Sequence, residues 1–166
     1  MRTTIVVIIL ALASAVALPA RTHPLDQADL VVVTKSERKL VLMKSGKVLK
    51  TYSVALGGSP TGAKEREGDH RTPEGTYVLD SRNAKSRFYR SLHISSPNAE
   101  DRAHAQKLRV AAGGDVFIHG LPNGYGYIGA AHRLHDWTDG CIAVTNSEMD
   151  EIWRLVPNGT RIEIKP

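Results

Sequence analysis

Between Asp115 and Asn146 the chain reads DVFIHGLPNGYGYIGAAHRLHDWTDGCIAVTN, and most of its reactive side chains fall there. The single cysteine, Cys141, lies in this stretch with three of the seven histidines, His119, His132 and His135. A thiol ionises near pH 8.5, so it becomes an effective nucleophile near neutrality only beside a base or a cation. A histidine meets that need by taking the thiol proton and returning it to a leaving amine.

Chain order and local sequence narrow the choice of partner. Every histidine precedes Cys141, which excludes the papain-like order, where the histidine follows the cysteine. His119 closes a short apolar run, Val116 to Ile118, and Gly120 after it allows a sharp turn. His132 and His135 read as members of a polar loop, so His119 is the expected base. Thr138, Asp139 and Gly140 form a tight turn into Cys141. Gly140 lets the backbone approach a substrate carbonyl, and amides around Gly140 and Cys141 can form an oxyanion hole. A carboxylate close to the sulfur disfavours the thiolate, so Asp139 is expected to point away. A zinc site built from His132, His135 and Cys141, with His119 or Asp136, is the competing chemistry. It lacks the helix on which zinc proteases carry their paired histidines. No metal is expected.

The surrounding elements have to bring these groups together. LVVVTK, KLVLMK and VLKTYSVAL, between Leu30 and Gly57, read as strands, with Ser45 and Gly46 marking a hairpin turn. A polar loop from Gly57 to Glu74 is longer than most structureless connections, which points to a functional flap. TYVLD and SLHISS are further strands. Residues 98–110 read as a surface helix, with Asn98 as cap, Asp101 three residues on, and Gly113 and Gly114 breaking it. Thr145 to Glu148 is a capping box, and Met149, Ile152, Trp153 and Val156 follow at the spacing of one helix face. RIEIK alternates as a last strand.

A length of 166 residues, 42% hydrophobic and 23% charged, describes one ordinary globular domain. The net charge of +5 suits an anionic partner such as a wall polymer. No Lys/Arg-rich run or nucleic-acid motif is present, so no nucleic-acid partner is expected. Residues 1–20 read as a secretory signal: Arg2, an apolar run from Ile5 to Ala17, and small residues at Ala15 and Ala17. That run is short for a bilayer span, so no transmembrane segment is expected in the mature chain. Export makes a lone cysteine informative, because it has no partner within the chain and reads as an intermolecular bridge or a reactive thiol; the preceding Gly and polar Thr138 and Asp139 weigh against a small buried hydrophobe.

His119-Gly120 followed by Thr-x-Gly-Cys at 138–141 resembles the signature of the L,D-transpeptidase catalytic domain, also called YkuD-type. The segment GDHRTPEGTYVL, Gly68 to Leu79, resembles the TPxGxY motif of these domains. The resemblance extends from Leu30 to Pro166. It implies a mainly β single domain with a few helices, an L,D-transpeptidase-type β-sandwich or mixed sheet at 30–166, after a signal peptide at 1–20 and a linker at 21–29. It implies Cys141 as nucleophile, His119 as proton acceptor and donor, and no cofactor. The expected partners are peptidoglycan stem peptides, met by a monomer in the periplasm or cell envelope. Thr138 and Gly140 belong to the active-site turn. Gly120, Arg133, Trp137, Tyr125 and Tyr127 are candidate substrate contacts, with Arg71 as a second candidate for the donor's carboxylates. Asp139 and Ala143 depart from the family pattern beside the cysteine, which leaves specificity open. The remaining readings are an amide hydrolase on the same fold and a non-catalytic wall-binding module. A sortase-like enzyme would need a different motif around its cysteine.

Overall fold

The computed structural model describes residues 27–166. The expected signal peptide lies outside the described residues, as does most of the linker. Among the described residues eight strands form one sheet: β1 (Leu30–Thr34), β2 (Lys39–Lys44), β3 (Lys47–Ser53), β4 (Gly75–Ser86), β5 (Tyr89–Ile94), β6 (Val116–His119), β7 (Ile142–Ala143) and β8 (Thr160–Lys165). Two α-helices, α1 (Ala99–Leu108) and α2 (Asn146–Leu155), and a 3₁₀ segment (Gly126–Leu134) complete the fold. Among the described residues no helix is long and apolar enough to cross a membrane.

The sheet runs in the order β3-β2-β1-β8-β4-β5-β6-β7. The C-terminal strand β8 inserts beside β1 in parallel and beside β4 in antiparallel. Its alternation, with Ile162 and Ile164 buried, is the period-2 pattern seen in the sequence. The sheet then curls back on itself. Ala55, just past β3, exchanges two backbone hydrogen bonds with Ala143 of β7, at 3.0 and 2.8 Å. The expected mixed sheet is thus curled, and closure brings the chain after β3 against the cysteine turn.

Three boundaries differ from the sequence reading. Ala28 is buried and its N–H donates to Leu155, so the domain begins before Leu30 and the linker is shorter than 21–29. β4 continues through an exposed polar run to Ser86, where no apolar alternation announces a strand. Helix α1 has the expected Asn98–Asp101 capping box but ends at Leu108, with Arg109 in the left-handed conformation, well before Gly113. Helix α2 has its Thr145–Glu148 capping box and buries Met149 and Ile152 against the sheet.

The long loop is anchored by a buried cation. Lys35, 2% exposed, donates to Gly62 O at 2.6 Å, Thr72 O at 2.9 Å and Glu74 Oε1 at 2.8 Å. Asp69 ties the loop's outer half together. Burial raises its carboxyl pKa, but the Lys64 ion pair and hydrogen bonds from the Glu65, Arg71 and Arg66 amides outweigh this and lower it to about 2. Lys35→Met should leave two carbonyls and a carboxylate unpaired and cost about 2–4 kcal/mol. A denaturant midpoint unchanged from the parent, at equal slope, would contradict this.

Candidate active site

Strand β6 delivers His119 and the turn 138–140 delivers Cys141, in adjacent lanes of the sheet. β6 and β7 pair in parallel, with Ile118 opposite Ile142 and His119 opposite Ala143. His119 and Cys141 therefore border one cavity of about 510 Å³, together with Phe88, Ser91 and Trp137. The imidazole is 4% exposed. Its ring packs against Phe88, centroids 4.6 Å apart, and edge-on to Trp137 at 5.8 Å. Its Nδ1 lies 2.7 Å from the Gly120 carbonyl. A carbonyl only accepts, so Nδ1 carries the proton and the neutral ring keeps its lone pair on Nε2. Burial pushes the His119 pKa down, partly offset by the Gly120 bond. The ring is thus held neutral, as a base must be.

Cys141 is half-buried and unpaired. Burial pushes its thiol pKa up, against a backbone hydrogen bond from Phe117; Asp139 adds to the rise and Lys64 opposes it. At rest the pair is therefore thiol and imidazole, without charge separation. The turn is braced by Thr138, whose hydroxyl donates to Cys141 O at 2.8 Å and accepts the Gly140 N–H at 3.1 Å. Asp139 is 91% exposed and bonds His70 of the long loop at 2.8 Å. A second cavity, of about 340 Å³, opens on the loop side of Cys141 between Lys64, His70 and Gly113.

A profile of the L,D-transpeptidase catalytic domain, YkuD, matches residues 28–164. The chain belongs to the L,D-transpeptidase family. YafK of Escherichia coli K12, classed by name with the L,D-transpeptidases, is 33% identical over 133 residues, 76% of this chain and 46% of YafK. The chain thus spans about half the length of that relative. YqjB of Bacillus subtilis, classed likewise, is 27% identical over 88% of this chain and 76% of its own. Among solved structures, the helical cell shape determining protein Pgp2 of Campylobacter jejuni (K307A mutant) superposes with a TM-score of 0.64 at 25% identity, over 85% of this chain and 48% of Pgp2. L,D-transpeptidase 1 of Mycobacterium tuberculosis gives 0.51 at 15% identity, over 82% and 60%, which shows the shared fold.

Within this L,D-transpeptidase domain the remaining candidates separate. Gly120 is enclosed: a Cβ there would meet Asn146 Oδ1 at 2.7 Å. It orients His119 rather than reaching a substrate. The Gly140 N–H is taken by Thr138, so among the described residues the Asp139 and Cys141 amides are the turn's donors left without a recorded partner. Arg133 is held by Glu148 of α2, and Arg71 by Ala63 O and Glu65, so neither is free for a substrate carboxylate. Trp137 lines the Cys141 cavity. Tyr125 lines a separate apolar cavity of about 350 Å³ behind Trp137, and Tyr127 is 82% exposed beside it. His132 does not sit in a polar loop. It is buried in the 3₁₀ segment, accepts from Trp137 Nε1 at 3.4 Å, and its pKa is pushed down to about 4 by burial and Arg133. His135 lies with it on the Tyr125 cavity, and Asp136 is bound to Arg38 and the Leu56 N–H. Among the described residues no three His, Cys, Asp or Glu side chains converge on a metal position, so the zinc arrangement has no geometry here.

Sequence reasoning missed Phe88, Asn123 and Asn146. Asn146 Oδ1 accepts the Leu121 N–H at 2.9 Å and so props the chain just after His119. In the sequence it is only the residue after a helix cap.

Proposed function

We propose that this chain is an exported cysteine L,D-transpeptidase that acts on peptidoglycan stem peptides. The observation that carries the reading is the shared cavity of Cys141 and His119, with the imidazole tautomer set by Gly120 O. His119 Nε2 takes the Cys141 proton as the sulfur attacks the carbonyl of the third stem residue. The Cys141 amide faces the resulting oxyanion. The bond to the terminal D-alanine breaks, His119 returns its proton to that amine, and a thioester remains on Cys141. An amine of a second stem peptide then attacks the thioester through the same base and restores the thiol. Water in place of that amine gives hydrolysis.

Purified muropeptides and mass spectrometry of the products test this. Cross-linked dimer with release of D-alanine supports transfer. Shortened or detached products alone replace it with the hydrolase reading. Intact substrate, with Cys141 unmodified, leaves a wall-binding module.

The resting protonation states give a signed pH prediction. Activity requires neutral His119, and burial lowers its pKa. The acid limb of kcat/KM should therefore fall below the ordinary 6.5. Alkylation of Cys141 without substrate should rise only above the ordinary thiol range, because its pKa is raised. An acid limb above 6.5, or fast alkylation at pH 6, would mean a preformed thiolate–imidazolium pair instead.

A further inference from the structure

Among the described residues one cation borders the larger Cys141 cavity, and it has no carboxylate partner. Arg87 lies at the tip of the β4–β5 hairpin and lines the cavity beside Phe88. The hairpin's other arginines are held elsewhere: Arg82 stacks over Trp153 at 4.0 Å, and Arg90 pairs with Asp150 at 2.9 Å. Among the described residues Arg87 makes no ion pair and no side-chain hydrogen bond, although carboxylates are common on this surface.

The backbone under Arg87 is fixed. Asn123 grips the tip from both sides: its N–H donates to Arg87 O at 3.0 Å, its Nδ2 to Ser86 O at 3.1 Å, and its Oδ1 accepts the Tyr89 N–H at 3.0 Å. The Gly120 N–H donates to Phe88 O at 3.1 Å. The tip is thereby tied to the strand end that carries His119, so the backbone at position 87 keeps a set relation to the base.

Carboxylates line the cavity as well. Asp115 and Asp139 border Cys141 from both of its cavities, whereas Arg87 borders only the larger one. A substrate carboxylate meets Asp115 and Asp139 beside the sulfur, partly offset by Lys64 of the smaller cavity, and an unpaired guanidinium at the hairpin. Guanidinium is also the group that binds carboxylate in a two-pronged fashion.

We propose that Arg87 is the specificity residue that receives a free carboxylate of the acyl donor and so sets the donor's direction across Cys141. The inference rests on the stem-peptide reading above. That carboxylate has two sources: the C-terminus of the leaving D-amino acid, or the side chain of a diamino acid at the third position. The assigned chemistry is the same for both.

The test compares three donors, the free peptide, its C-terminal amide and its side-chain amide, on wild type, Arg87→Lys and Arg87→Gln. Wild type should disfavour one amide by about ten- to a hundredfold in kcat/KM, and the disfavoured amide identifies the source. Arg87→Gln should lose that discrimination, mainly through KM, and Arg87→Lys should recover part of it. Two controls separate the hypotheses. Labelling of Cys141 by a neutral thiol reagent, with thermal melts, shows whether each variant is folded and keeps its thiol accessible. If wild type turns over none of the donors, the stem-peptide reading itself fails. If wild type turns them over and Arg87→Gln keeps the same amide discrimination, the Arg87 assignment is overturned.

Discussion

Cys141→Ala should leave no measurable transfer or hydrolysis of a stem peptide, and His119→Ala should retain only about a thousandth of the parental kcat/KM. The two losses have different origins. Without the sulfur no acyl-enzyme forms, so stoichiometric labelling by an acylating substrate disappears. Without the imidazole the thiol has no acceptor for its proton, and its raised pKa keeps it protonated at neutral pH. His119→Ala should still be alkylated slowly at high pH, where solvent removes the proton instead. His132→Ala is the internal comparison. His132 touches the site only through Trp137, as a weak 3.4 Å acceptor, and its loss should cost less than tenfold in kcat/KM. Kinetics of the three variants, with thermal melts to establish folding, give the measurement. If His132→Ala fell as far as expected for His119→Ala while His119→Ala stayed active, the base would have been assigned to the wrong ring.

Cys141 and His119 could be named as candidates from the sequence because the signal for them is local. One cysteine, chain order and a glycine next to each residue need no knowledge of long-range packing. The strands with period-2 alternation and the capped helix α2 were legible for the same reason. The supporting contacts were not. The Gly120 carbonyl that sets the His119 tautomer is a backbone atom, and any residue type supplies one. Arg133 reads as a free surface cation until α2 brings Glu148 to it across fifteen positions. The far half of β4 is exposed on both faces, so neither apolar nor polar residues alternate there. It is held as a strand by β5, and its polar tip supplies Ser86, Arg87 and Phe88 to the cavity. The 3₁₀ segment hid His132, because a run of Gly, Ala and Tyr has no helical or strand period.

The same logic explains why the TPxGxY-like segment and the cysteine motif occur together although they are far apart in sequence. Three backbones meet at the cysteine turn with no room for side chains between them. Gly58 N donates to Thr138 O at 3.0 Å, Thr138 N to Leu56 O at 3.1 Å, and Ser59 N to His70 O at 3.0 Å. The Thr72 hydroxyl accepts the Gly57 N–H at 3.0 Å. The upstream motif is thus the floor on which the cysteine turn rests, and Lys35 holds that floor from below through Thr72 O.

Gly140→Ala should therefore be strongly damaging although it touches no reactive group. Gly140 has φ +131, a conformation open to glycine and strained for any residue with a Cβ. A Cβ there would lie 2.6 Å from Arg71 O, a backbone atom that cannot rotate aside. Gly57 approaches from the other side, where an added Cβ would sit 3.1 Å from Gly140 Cα. The turn has no direction in which to relax, so the cost should be about 3 kcal/mol or more in stability. Cys141 is the next residue, and a displacement of about 1 Å at the sulfur should lower kcat/KM by at least a hundredfold. Gly124→Ala separates backbone strain from crowding. Gly124 also has positive φ, +86, but a Cβ there meets nothing within 4 Å. It should cost about 1 kcal/mol and leave turnover near the parental value. Chemical denaturation and donor turnover on the two variants give the comparison. If Gly140→Ala matched Gly124→Ala in both, the cysteine turn would be free to move, and close packing against the 70–71 backbone would not be what aims the thiol.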